Sequence, residues 1–156
     1  MTDRFALVPA SYVYLLRDGE AGTEVLLQQR GPVPYMAGHW AAAAAAGHVE
    51  RGETAYDAAR RAALEELGIT DVALEFAFTM QRTQHAGAIE ERVDWFFTAR
   101  SWVGEPRVVE PEKCAGIGWF PLDALPSPMV PHEAHALAHL SSGVGYLTFG
   151  WDRPAG

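Results

Sequence analysis

Cysteine is nearly absent: Cys114 is the only one in 156 residues. No internal disulfide can form, and no Cys/His spacing of the zinc type surrounds it, which suits a reducing cytoplasm and a small core residue. Cations are also scarce. Lys and Arg total 12 against 20 Asp and Glu, a formal net charge of −8. That balance argues against a nucleic-acid groove or an anionic membrane surface as partner. It leaves small phosphorylated ligands open, because a bound divalent cation reverses the local field. No stretch approaches the roughly 20 apolar residues of a membrane span, and the N-terminus lacks the basic flank and apolar run of a signal peptide. Internal repeats, low-complexity linkers and composition breaks are missing as well. The expectation is a cytoplasmic protein forming a single domain over 1–156, with no membrane or nucleic-acid partner.

Nearly half the residues, 49%, are apolar, enough for a packed core without disulfides. Residues Phe5 to Leu16 and Glu24 to Arg30 are β-rich runs joined by the turn Arg17-Asp18-Gly19. The loop Gly31-Pro32-Val33-Pro34 follows and delivers Tyr35, Met36, His39 and Trp40. The run Ala41 to Ala46 favours helix by propensity, yet between Trp40 and the Gly47 turn a helix would be short and uncapped. A strand is expected there, its small side chains admitting a neighbouring backbone or ligand. From Glu53 or Thr54 to Leu67 the pattern is helical, with Ala55, Ala59, Ala63 and Leu67 as one apolar stripe and Gly68 as the residue that ends it. Strands are expected at Val72 to Gln81, at Arg92 to Ala99 with Val93, Trp95 and Phe97 on one face, and at Ile117 to Phe120. Pro121 to Pro126 reads as a helical turn. A helix over Pro131 to Leu140 is expected to turn Ala134, Leu137 and Ala138 inward. Strands before, between and after two helices predict an α/β fold: a mixed β-sheet with a helix on each face.

Chemistry concentrates between Gly47 and Ile69. Glu65 and Glu66, about 100° apart on a helix, can jointly address one hard cation, and Glu53 stands near the positive end of the helix dipole. Arg61 and Glu65 are four apart and can pair across one turn. Elsewhere, Arg30, Arg82 and His85 are candidates for phosphate contacts. Tyr35, Trp40, Trp95, Phe96 and Trp119 are candidates for stacking on a base, although aromatics in a small domain are first of all core. His48 is open to either a loop hydrogen bond or a substrate contact. No feature names a base or sugar.

Gly47, Glu53, Arg61, Ala63, Glu65, Glu66, Gly68 and Ile69 stand at the spacing of the Nudix box, and the 23-residue stretch resembles it closely. The segments Tyr35 to Gly38, Ala46 to Glu50, Glu110 to Cys114 and Trp119 to Pro126 are similar to those of small MutT-like Nudix enzymes acting on nucleoside di- and triphosphates. The resemblance implies the Nudix α/β/α sandwich. It also implies Mg²⁺-dependent (or Mn²⁺-dependent) hydrolysis of a nucleoside diphosphate linked to another group, releasing a nucleoside monophosphate. Glu65, Glu66 and the Gly47 carbonyl would then face the metal, with Glu53 either joining them or serving the helix dipole or an ion pair with Arg61; Arg61 would brace them, and Arg30, Tyr35, Arg82 and His48 are the candidates to meet the nucleotide. Members of the family are often homodimers, so a homodimer is expected.

One position departs from the box. Where the pattern has Glu after its Arg, this chain has Ala62. On a helix that position shares a face with Glu65 and Glu66, so the cluster loses a carboxylate. A positioned general base contributes roughly 10²–10⁴-fold. A replacement is expected from outside the helix, first from Glu110 or Glu112, then from Glu90 or Glu91. The competing expectation is a nucleotide-binding or sensor module that has lost turnover.

Overall fold

The computed structural model describes residues 3–46, 48–84 and 91–151. His85 and Glu90, and Gly47 with its carbonyl, lie outside the described residues. Among the described residues no helix is long and apolar enough to cross a membrane.

The organising strand is β1, Val8–Gly19, long enough to serve two pairings. Its first part pairs in parallel with β6, Arg92–Ala99; its last part pairs antiparallel with β2, Gly22–Arg30. The expected alanine strand is present but broken at Ala43. Its halves, β3 (Trp40–Ala42) and β4 (Ala44–Ala46), pair with β2 and β1 respectively. β5, Leu74–Arg82, lies antiparallel to β6, and β7, Cys114–Pro121, lies antiparallel to β2. An eighth strand that the sequence reading did not include, β8 (Tyr146–Phe149), pairs in parallel with β5 at the sheet edge. Where a helical turn is expected over Pro121 to Pro126, residues Pro121 to Ala124 form a single hydrogen-bonded turn.

The side-chain alternation of β1 separates two cores. Ala10, Tyr12, Tyr14 and Leu16 face the layer of α2 (Pro131–Ala138), with Ala136 and Leu137; Val13 and Leu15 face that of α1 (Ala55–Leu67), with Ala59, Ala63 and Leu67. A mixed sheet with a helix on each face is thus the α/β/α sandwich. Trp95 and Phe97 pack on the α1 side, as alternation requires.

Helix α1 begins and ends where local chemistry directs. The Thr54 side chain and Asp57 form a reciprocal capping box, and Gly68 closes the helix in the left-handed region at φ 69°. Beside the expected stripe, Ala58 and Ala62 form a second one, buried against Val49. Helix α2 requires a correction. Its inner face carries His132, Glu133, Ala136 and Leu137, while Ala134 is half-buried and Ala138 exposed. The cause is where the chain is pinned. Trp40 N–H donates to the Pro128 carbonyl and Val130 N–H donates to the Trp40 carbonyl, fixing the rotation of α2 over β3.

Candidate functional site

Glu65 and Glu66 diverge as their helical spacing demands. Glu65 is exposed, with its carboxylate 3.6 Å from Arg61 Nη1. Glu66 turns the other way and accepts a hydrogen bond from Ala45 N–H at 2.7 Å. Burial above all, with Glu110 and Glu65 beside it, pushes the Glu66 carboxyl up to about 7 against the pull of the Ala45 amide and Lys113.

Glu110 reaches this spot because its loop is tied to the end of α1. Arg107 N–H donates to the Leu67 carbonyl and Val109 N–H donates to that of Glu66. From the other side Gly31 N–H donates to the Lys113 carbonyl, and a Cβ on Gly31 would stand only 3.0 Å from the Lys113 backbone. Glu66, Glu110, Lys113, Cys114 and Gln28 consequently line one small recess. Lys113, the only lysine of the chain, pairs with Glu110 at 2.9 Å. Of the two expected acids Glu110 lines the recess with Glu66, whereas Glu112 is exposed and lines no part of it. Glu91 accepts from the Thr83 hydroxyl at 2.9 Å.

The Glu53 carboxylate is committed elsewhere. Its Oε2 accepts from Arg61 Nε at 2.8 Å, and its Oε1 accepts from Arg61 Nη2 and Glu50 N–H, both at 2.9 Å. Arg61, chiefly, and the Glu50 amide hold its pKa down at about 2. Arg61 also donates to the His48 carbonyl, so the pair clamps the loop that enters α1; the His48 side chain is exposed.

Ala62 is 2% exposed and closed over by Val49. An acid introduced there meets an apolar lid. Ala62→Glu is expected to lower stability by about 1–3 kcal/mol in metal-free buffer, and Mg²⁺ titration is expected to restore the urea midpoint. A midpoint unmoved by the substitution would show that the lid opens freely.

A second cavity, of about 360 Å³, lies against β1, β3 and α2, with Arg30, Tyr35 and Arg82 in its wall. Three of the four residues expected to meet a nucleotide are therefore brought together, and His48 is not among them. The Arg30 guanidinium carbon lies 5.3 Å from the centre of the Tyr35 ring, and its Nε donates to the Tyr35 carbonyl at 2.8 Å. Arg82 is buried, paired through Nε with Asp94 and through Nη2 with the Tyr12 hydroxyl. Gln28 lines both this cavity and the Glu66 recess, so the two adjoin. The other aromatic candidates are packing residues. Phe96 stacks on Tyr12, Trp40 meets Phe120 edge-on, Trp119 stacks on Trp102, and Trp95 packs beside the α1 core.

Two cavity residues had no place in the sequence reading. His132 is buried, its Nε2 3.2 Å from the Tyr12 hydroxyl, and burial pushes its pKa well down, so the ring is neutral. Glu133 Oε1 accepts from the Tyr14 hydroxyl at 2.8 Å and from Ala42 N–H at 2.7 Å. The broken alanine run thus offers one amide to a glutamate of each helix, Ala45 to Glu66 and Ala42 to Glu133. The signal for Glu133 lay in β1, where two tyrosine hydroxyls pointing into one core layer need polar partners.

Among the described residues no three His, Cys, Asp or Glu side chains form a ready cation cage. The donor set nevertheless fits Mg²⁺. Glu66, whose proton affinity Glu110 and Glu65 raise, is short of positive charge, and Mg²⁺ is usually held by one or two carboxylates plus phosphates and waters.

Comparisons with known proteins agree with this fold. The family model of the NUDIX domain matches residues 6–140. A MutT NUDIX hydrolase from Burkholderia pseudomallei is 30% identical, with a TM-score of 0.73 over 87% of this chain and 99% of that one. A MutT protein from Bacillus halodurans is 26% identical, with a TM-score of 0.65 over 91% and 88%. An isopentenyl-diphosphate Delta-isomerase from Jannaschia sp. (strain CCS1) is 34% identical over 116 residues, 72% of this chain; the match spans only 63% of that relative.

Proposed function

The chain belongs to the NUDIX domain family, and from that premise we propose that it is a Nudix hydrolase that cleaves the diphosphate linkage of nucleoside di- or triphosphates with Mg²⁺, releasing a nucleoside monophosphate. The observation that carries this reading is the adjoining of the Glu66–Glu110 recess and the Arg30–Tyr35–Arg82 cavity through Gln28. A phosphate chain held at the first would present its nucleoside to the second.

Glu66, Glu65 and Glu110 would hold the cation, together with the Gly47 carbonyl. When bound, Mg²⁺, or Mn²⁺ in its stead, neutralises phosphate oxygens and lowers the pKa of an attacking water. Glu110 replaces the carboxylate missing at Ala62, and the ion pair with Lys113 orients it. Glu53 acts through Arg61, which in turn braces Glu65. Arg30 and Arg82 supply positive charge for phosphate oxygens, and Tyr35 a ring for the base. The isomerase relative supports a diphosphate group as the common element. A cavity lined by Arg30, Arg82, Gln28 and Glu133 favours a nucleoside over an apolar chain.

Release of phosphate from a panel of nucleoside diphosphates and of pyrophosphate from triphosphates, with and without Mg²⁺, tests the reading. Metal-dependent release is expected; nucleotide binding without turnover would establish instead the sensor module that Ala62 favours. Within the panel, Glu110→Gln is expected to slow turnover roughly 10²–10⁴-fold and Glu112→Gln to leave it within a factor of about two, as is usual for an exposed acid outside a site. Equal effects would remove Glu110 from its assigned place.

A further inference from the structure

Glu133 is a buried acid that this reaction does not use and that no cationic side chain pairs directly. It is 3% exposed in the first turn of α2 and also lines the larger cavity. Its Oε1 takes both the Tyr14 hydroxyl and the Ala42 amide, donors from two strands, so the carboxyl group is held from two directions. Oε2 takes part in neither bond. Its polar neighbours bond chiefly to one another: Arg82 to Asp94 and Tyr12, His132 to Tyr12. A buried carboxyl group costs stability that an apolar side chain of like volume would not, so packing alone does not account for it.

We propose that Glu133 is the specificity-determining residue of the cavity, its Oε2 accepting a hydrogen bond from an N–H or amino group on the base of a nucleoside phosphate whose ring rests against Tyr35. The proposal rests on the nucleotide reading above and deepens it. Tyr35 walls the same cavity and already carries the Arg30 guanidinium against its ring. Burial pushes the Glu133 carboxyl up to about 7, against the pull of the Ala42 and Tyr14 donors, and a further donor from a ligand favours the charged form. A site built to bond a polar group rejects the analogue lacking it far more strongly than it rejects a missing methylene.

The test uses nucleotide pairs that differ in one exocyclic group: cytidine and uridine, adenosine and inosine, guanosine and inosine diphosphates. For at least one pair the wild-type protein is expected to prefer the amino-bearing member by about tenfold or more in kcat/KM, the scale of one charged hydrogen bond. Glu133→Gln retains an acceptor for Tyr14 and Ala42 but puts an amide donor where Oε2 stood; it is expected to erase or reverse that preference. A wild-type protein indifferent to all three pairs overturns the proposal, whatever the variant does. So does a variant with unchanged ratios, or one slowed equally on every substrate. If no phosphate is released, the hydrolase reading fails, and the same ratios read as Kd for the monophosphates by calorimetry decide the proposal separately.

Discussion

Glu66→Gln is expected to abolish most metal-dependent turnover, lowering it by more than the roughly 10–100-fold typical of an outer-shell metal partner. Gln retains an oxygen for Ala45 N–H, so the backbone contact at 2.7 Å survives and the helix should dock as before. What disappears is the charge. With Glu110 answered by Lys113 and Glu65 facing Arg61, Glu66 is the carboxylate in the recess that no cationic side chain neutralises directly. The expected signature is a shift of the Mg²⁺ dependence to higher concentration with an unchanged melting temperature in metal-free buffer. Wild-type Mg²⁺ dependence in the variant would take Glu66 out of the metal site.

How far the sequence discloses this site depends on how local each cause is. The start of α1 rests on Thr54 and Asp57, three positions apart, and its end on Gly68; the sequence pattern ends the helix at Leu67 as observed and begins it at Glu53 or Thr54, one or two residues before Ala55. The pairing of Arg61 with Glu65 is equally local. The choice between Glu110 and Glu112 is not: it depends on Val109 reaching the Glu66 carbonyl and on Gly31 meeting Lys113, contacts far apart in the chain. Ala62 was legible as a missing acid, but its burial under Val49 was not, because a surface helix ordinarily needs one apolar stripe and this one has two. The inner face of α2 was misread for a related reason. Glu and His on a short helix count as outward residues unless something inside bonds to them, and here Tyr12 and Tyr14 do. β8 was passed over because it has four residues bounded by glycines, and only its parallel register with β5 makes it a strand.

Asp94→Ala carries the largest expected loss of stability. Asp94 is fully buried, and its partner Arg82 is 8% exposed. Removing the acid leaves a guanidinium in the interior, which costs about 3–5 kcal/mol. Urea denaturation should report that loss as a lowered midpoint with the slope retained. The pair is not required for stability as such, however: a buried ion pair replaced whole by apolar residues of similar volume is often neutral or stabilising. The double substitution Arg82→Met with Asp94→Leu is therefore expected to recover most of the midpoint. It should not recover ligand affinity, because Arg82 also walls the cavity in which the nucleotide is proposed to sit. Stability regained with nucleotide affinity still lost would assign Arg82 to the ligand and Asp94 to holding it there. Affinity regained along with stability would make the pair a structural element of the sheet.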